Sequence, residues 1–287
     1  MTSYRVDPST GSQVKPRPHW LKALGGEPLP ETVAIDGVPH RLRETFKHDS
    51  WAATGLYEAP TGVRRVVKLH RQAPVGSVPM SWLGRRMARH EMRLLQALGD
   101  LKGVPKLAGQ VTVNGRQLDN ALARDYVEGH PLGNREDVKP SFFPALEALL
   151  RAMHMRKIVY VDLHKRENIL VDEAGDPCLI DFQISVAWPR RLVAGPLFTM
   201  LRRSDEYHLM KHWARSRPEQ CGIDEGALRK RIPWMIRAHR LVARPLREAR
   251  RRLLVKLGVR AGSGRVETEL FAEHALRAVC PQLRRPS

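Results

Sequence analysis

Between positions 160 and 183 the chain reads YVDLHKRENILVDEAGDPCLIDFQ, and three of its residues carry oxygens suited to a hard cation. Asp162 and Asp181 bring carboxylates, and Asn168 brings an amide oxygen. The surrounding pattern is a loop bearing Asp162 and Asn168, a short apolar strand over 169–171, a turn at Glu173-Ala174-Gly175-Asp176, and a second strand over 178–180 that ends in Asp181. Such a hairpin has polar groups at both ends. Oxygen ligands of this kind suit magnesium, and a carboxylate beside them can orient an attacking hydroxyl. That is the equipment of phosphoryl transfer, in which positioning and charge neutralisation supply most of the catalysis.

The elements that would hold these residues can be traced along the chain. Residues 1–30 are rich in Pro, Gly and Ser and show little periodicity, which predicts a flexible lead-in, with order beginning near Glu31. Residues 31–125 read as short strands, including VRRVVKLH around Val66 and Val67, interrupted by one helical stretch, MARHEMRLLQALG. Beyond them, residues 126–287 read as mainly helical. Pro140-Ser141 opens FFPALEALLRAMHM, where Leu146, Leu149, Leu150 and Met153 recur at helical spacing.

The segment around Asp162 resembles the protein-kinase-like superfamily, whose catalytic loop H-R-D-x-x-x-x-N is followed by a D-F-G metal-binding turn. Tyr160-Val161-Asp162 stands where H-R-D would, Asn168 where the loop asparagine would, and Asp181-Phe182-Gln183 where D-F-G would. The resemblance implies an α+β, two-lobed fold, with a small β-rich N-lobe and a mainly helical C-lobe, that binds ATP and Mg2+. It implies Asp162 as catalytic base and Asn168 and Asp181 as magnesium ligands. Upstream it implies a strand lysine on the nucleotide phosphates, matched by Lys68, and a helical glutamate to hold it, matched by Glu91, 23 residues later. Asp125-Tyr126-Val127-Glu128-Gly129 resembles the hinge, where Tyr126 and Val127 would meet the adenine.

Departures from the family pattern are specific. Five residues, not four, separate Asp162 from Asn168, so the loop must bulge or the metal site must shift, and Lys165 could then reach the γ-phosphate. The phosphate-covering loop is expected near 48–57, HDSWAATGLY, with Gly55 alone in place of three glycines. Gln183 replaces the last glycine of D-F-G. No A-P-E follows Asp181, and that motif ends the platform on which protein kinases hold peptides. A non-peptide acceptor is therefore expected, an anionic sugar or lipid. The D-L-H start of the loop and the segment RSDEYHLMKHWAR look like bacterial small-molecule and lipopolysaccharide-core kinases, including the Kdo and heptose kinases, over about residues 40–215. The competing readings are a protein serine/threonine kinase and a pseudokinase acting as a nucleotide- or membrane-binding module.

Charge bears on the partner. With 49 Lys+Arg against 30 Asp+Glu the chain is at +19, and residues 229–256 alone hold eleven Lys/Arg and one acid. There Leu246, Ala249, Leu253 and Leu257 share a helical stripe bordered by Arg247, Arg250, Arg251 and Lys256, a pattern that fits an anionic membrane surface. Nucleic acid is supported by charge alone, with no aromatic interleaving and no recognised binding motif. The three cysteines, Cys178, Cys221 and Cys280, are far apart and suggest neither disulfides nor a zinc site. No apolar run approaches a membrane span or a signal-peptide core, so the expected location is cytoplasmic, peripheral at the inner membrane face.

Overall fold

The runs AATGLYE and VVKLH are nearly continuous in apolar or small residues, the pattern of strands covered on both faces. A computed structural model places both inside a seven-stranded sheet. The structure describes residues 5–6, 13–14, 18–189, 195–223 and 226. The basic segment 229–256 and its expected membrane-facing helix lie outside the described residues, as does Cys280. The described part of the chain divides into two units, one of residues up to 89 with 108–124, the other of 90–107 with the residues from 125 onward.

In the first unit, β1 (Arg5–Val6) pairs with β2 (Gln13–Val14). The large sheet is built from β3 (Thr32–Ile35), β4 (Val38–His48), β5 (Ala52–Glu58), β6 (Arg64–His70), β7 (Val111–Val113), β8 (Arg116–Gln117) and β9 (Ala121–Asp125), in the order β8-β7-β3-β4-β5-β6-β9. Its β3–β4, β4–β5 and β5–β6 pairs are antiparallel hairpins, with register shifts in β4 between Leu42 and Glu44 and between Thr45 and Lys47. The core beneath the sheet contains Val33, Ile35, Ala53, Tyr57, Val67, Leu69 and Ala123. Leu24 and Leu29 join it, so residues 18–30, expected as part of the lead-in, contribute to the packed core. Helix α1 (Ser81–Leu98) starts six residues before the stretch in which the sequence shows helical periodicity.

In the second unit, β10 (Gly129–Pro131) precedes α2 (Phe142–Met155), which buries Phe142, Phe143, Leu146, Leu149, Leu150 and Met153. The four predicted apolar positions are among them. Next come β11 (Ile158–Val159), β12 (Ile169–Asp172), β13 (Pro177–Leu179) and β14 (Val186–Ala187). They form the small sheets β10-β12-β13 and β11-β14. Helix α3 (Pro196–Ser216) packs beside α2 through the stacked rings of Phe143 and Trp213, 5.6 Å apart, and the short α4 (Pro218–Cys221) follows. Buried residues of α3 include Asp205, His208 and His212 as well as Phe198 and Leu209. A helix that turns three titratable groups inward is doing something other than filling volume. No helix among the described residues is long and apolar enough to cross a membrane.

Candidate active site

The loop after β11 holds Asp162 in a strained turn. The Asp162 N–H donates to the Tyr160 carbonyl, 2.9 Å, across Val161, whose φ is +69°. This three-residue turn is rare, and for a β-branched residue the left-handed region costs about 1–3 kcal/mol. Asp205 of α3 offsets that cost. Its buried carboxylate accepts the N–H of Tyr160 at 2.9 Å and the N–H of Val161 at 2.8 Å, and His154 Nε2 lies 3.1 Å from its Oδ2. His212 supplies a further anchor, with Nε2 2.8 Å from the Leu163 carbonyl. Burial holds the His212 imidazole at a pKa of about 4, so near neutral pH it is uncharged and donates through Nε2.

The Asp162 carboxylate is buried and unevenly engaged. Oδ2 accepts Lys165 Nζ and Asn168 Nδ2, each at 2.8 Å. Oδ1 has His164 Nδ1 at 3.3 Å but no aligned hydrogen-bond donor among the described residues. The extra residue between Asp162 and Asn168 is absorbed by two successive tight turns, Lys165 N–H to the Asp162 carbonyl at 3.1 Å and Asn168 N–H to the Lys165 carbonyl at 3.3 Å. The second turn is a 3-10 helix over Arg166–Asn168. The loop tightens rather than bulges, and Asn168 still reaches Asp162.

Asp181 closes the other end of the hairpin. The Ile180 N–H donates to the Asn168 carbonyl at 3.0 Å, which brings the residue before Asp181 against Asn168. Asp181 itself adopts φ +62°. The left-handed residue of this turn is thus Asp181, and Gln183, where the family pattern has glycine, needs no positive φ. Tyr160 ties the loop to this turn: its hydroxyl donates to the Ile180 carbonyl, its carbonyl accepts Ser185 Oγ at 2.9 Å, and its ring meets Phe182 edge-on at 5.3 Å. Burial, reinforced by the charges of Asp181, Asp162, Asp205 and Glu91, pushes the Tyr160 phenol well above its ordinary value, so it remains a neutral donor.

The remaining expected residues fall as follows. Lys68 is buried on β6, where it pairs with Thr54, and Glu91 is buried in α1. Tyr126 and Val127 lie in the irregular link between β9 and β10. Gly55 differs from expectation, because it sits inside β5 and not in the β4–β5 turn. A Cβ there would come within 2.8 Å of Leu42 Cδ1 and 2.9 Å of Leu29 Cδ1, so the glycine makes room for apolar packing. The turn itself is at 49–51, where Asp49 Oδ1 accepts the N–H groups of Trp51 (2.7 Å) and Ala52 (2.9 Å). Sequence reasoning missed Asp205, His154 and His212. The signal for two of them lay in RSDEYHLMKHWAR, where Asp205, His208 and His212 recur at helical spacing.

No protein-family model matches the chain, and no curated protein does. Solved structures similar to it include two of the Rio2 kinase from Chaetomium thermophilum. The complex with ADP, Mg2+ and phosphoaspartate is 17% identical with a TM-score of 0.46, covering 61% of this chain and 56% of that one. The second, a crystal structure of the same kinase, is 17% identical with a TM-score of 0.45, covering 61% and 58%. The chain therefore spans less than two thirds of the length of these neighbours.

Proposed function

We propose that the chain is a kinase-like phosphotransferase that uses ATP and magnesium to phosphorylate a hydroxyl. The observation that carries this reading is the Asp162 carboxylate, with one oxygen fixed by Lys165 and Asn168 and the other buried without a hydrogen-bond donor among the described residues, on a loop joined by a backbone hydrogen bond to the Asp181 turn. In this reading Oδ1 of Asp162 accepts the hydrogen bond of the acceptor hydroxyl and aims it at the γ-phosphorus. Lys165 holds the carboxylate in place and brings positive charge to the transferred group. Asn168 directs its amide nitrogen at Asp162, which turns its amide oxygen away toward a cation, and Asp181 would complete the ligand pair.

The donor set fits magnesium. Among the described residues no three His, Cys, Asp or Glu side chains group to hold a metal on their own, and magnesium is commonly bound by one or two protein ligands plus substrate phosphates. Bound there, it would neutralise charge on the β- and γ-phosphates. Lys68 and Glu91 belong to residue types seldom buried without a partner, and we assign Lys68 to the nucleotide phosphates and Glu91 to its support. Tyr126 and Val127 are assigned to the adenine.

For the acceptor we propose a sugar or lipopolysaccharide-core lipid. Only residues 182–195 separate Asp181 from α3, and β14 occupies part of that stretch, leaving little chain for a peptide platform. The test is transfer of label from γ-labelled ATP with Mg2+ to a panel of sugars, core glycolipids and proteins, using the full chain and Asp181→Ala. Label on a sugar or glycolipid, absent with Asp181→Ala, supports the whole reading. Label on protein alone keeps the phosphotransferase and removes the non-peptide acceptor. ATP binding without any turnover removes both and leaves a nucleotide-binding module.

A further inference from the structure

Arg71 gathers one rim of the first unit around a buried cation. Its guanidinium donates to the carbonyls of Trp20, Ser50 and Ala73 at 2.8 Å and of Pro74 at 2.9 Å. Its N–H donates to the Trp51 carbonyl at 2.9 Å. A Cβ on Gly84 would lie 2.0 Å from the Arg71 carbonyl oxygen, so the first turns of α1 press against the same residue and only glycine permits it. The backbones of Trp20, Trp51, the β6–α1 link and the start of α1 are thereby fixed about one point.

What this hub carries is apolar and exposed. Trp20, Trp51, Val75, Val78 and Trp82 are between 43% and 56% exposed, and they are half of the ten large apolar residues exposed among the described ones. Val75 and Val78 exchange two hydrogen bonds, 3.0 and 3.1 Å, across a two-residue turn in which Gly76 has φ +59°. The two bonds close the turn, and both valines stand exposed on it. Concentrated exposed apolar surface of this kind marks a contact site.

The exposed charge around it is mainly positive: its acid, Asp49, which accepts the Trp51 N–H, is paired with Lys47 at 2.8 Å. Residues 59–90 contain seven Lys/Arg and no Asp or Glu. Arg85, Arg86 and Arg89 are exposed on α1 at helical spacing from Trp82. Arg85 and Arg86 lie in the second turn of α1, whose first turn holds no acid, and Arg89 lies a turn further on, so none of the three sits where the helix dipole favours a cation. A negatively charged partner would supply their counter-charge.

We propose that this rim docks on an anionic lipid surface, with Val75, Val78 and Trp82 entering the boundary between headgroups and acyl chains and Arg85, Arg86 and Arg89 meeting lipid phosphates. Tryptophan favours that boundary, and surface arginines there are attracted by anionic lipid. Lipid is favoured over nucleic acid by the valine turn, because bases offer aromatic faces for stacking and two aliphatic tips cannot use them, while hydrocarbon can. The proposal uses no residue of the basic segment 229–256 and stands independently of the phosphotransferase reading.

The test uses the full chain and vesicles of equimolar phosphatidylcholine and phosphatidylglycerol at physiological ionic strength, with brominated lipid to quench tryptophan fluorescence. Arg85→Gln/Arg86→Gln/Arg89→Gln should lower vesicle affinity on the order of 100-fold, as expected for three surface cations. Val75→Ser/Val78→Ser and, separately, Trp82→Ala should lose the bromine quenching. Arg247→Gln/Arg250→Gln/Arg251→Gln/Arg252→Gln should leave that quenching in place. Each variant is compared at an unaltered thermal midpoint, and the single Trp82 variant serves if a multiple one does not fold. Affinity and quenching unchanged in the three rim variants would overturn the proposal, as would preference for single-stranded RNA over these vesicles at the same salt.

Discussion

The loop bearing Asp162 and the hairpin turn at Asp49 are both short, polar and organised by a carboxylate, but their carboxylates come from different distances. At the hairpin, Asp49 caps the N–H groups two and three residues ahead of it, so the turn is fixed by its own sequence. At the Asp162 loop the capping carboxylate is Asp205, which reaches back 45 and 44 residues to Tyr160 and Val161, and the backbone it caps is strained. A turn written locally can form early and costs little to repair. A turn held from another helix exists only once that helix has packed, so the geometry of the candidate site and the stability of the second unit are one property.

The largest effect is expected at the reacting end of the distant arrangement. Asp162→Asn should lower turnover by three orders of magnitude or more while ATP affinity stays within a few-fold, because the loss falls on the transition state. Measured by acceptor phosphorylation and by nucleotide titration, an equal loss of both would move Asp162 from base to metal ligand. Next comes the residue behind it. Asp205→Ala leaves the buried Tyr160 N–H and the part-buried Val161 N–H without their acceptor, at about 1–3 kcal/mol for the buried one and less for the other, so unfolding free energy should fall by about 2–4 kcal/mol. Turnover of the folded fraction should fall about 100-fold, the scale of a misplaced catalytic group. Asp205→Asn, which keeps one acceptor oxygen, should recover part of both. Loss of stability with normal turnover per folded molecule would make Asp205 structural only.

Legibility in the sequence follows the same divide. Helix α2 was readable to its residues, since its buried face is apolar at helical spacing from Phe142 to Met153. Helix α1 was readable only from Met87, because Gly84 and the exposed Arg85 and Arg86 interrupt the apolar period of its first turns. Asp162, Asn168 and Asp181 were legible as a set through their spacing about a hairpin. Asp205 and His212 were not, because a hydrophobic period is blind to a buried face made of polar residues, and nothing local shows that residue 205 will meet residue 160. Gly55 was placed in a loop by resemblance alone, and the structure has it inside β5, where it clears space for Leu29 and Leu42 brought in from two other segments.

His212 offers an intermediate effect that can be read by pH alone. Its pKa is about 4 in the folded chain against an ordinary 6.5, so between those values the unfolded chain binds a proton that the folded one does not. Stability from this group is therefore full above about pH 6.5 and is lost as pH falls toward 4, by about 3 kcal/mol at 1.36 kcal/mol per pH unit. Denaturant unfolding of the wild type and His212→Gln across that range should give a difference that narrows as pH falls. Parallel curves would show that the imidazole does not titrate in this window and would detach the Leu163 anchor from any pH response.

The smallest effect is expected at the local turn, and it is the one that best separates the two kinds of carboxylate. Burial alone would raise the pKa of Asp49, but Lys47, 2.8 Å away, and the N–H groups of Ala52 and Trp51 outweigh it and hold the carboxyl below its ordinary value. Its contribution is present above the unfolded value of about 3.8 and is lost as pH falls through the folded one. Asp49→Ala should cost about 1 kcal/mol, the scale of a lost side-chain cap, and Asp49→Asn or Asp49→Ser should restore most of it because either can accept the same two N–H groups. The conservative exchange at Asp205 should restore less, since a neutral amide there has one acceptor for two donors whose backbone is strained. Comparable rescue at both positions, measured as unfolding free energy at pH 7, would mean that the distant carboxylate is no more demanding than the local one, and the strain at Val161 would then be carried by some other contact.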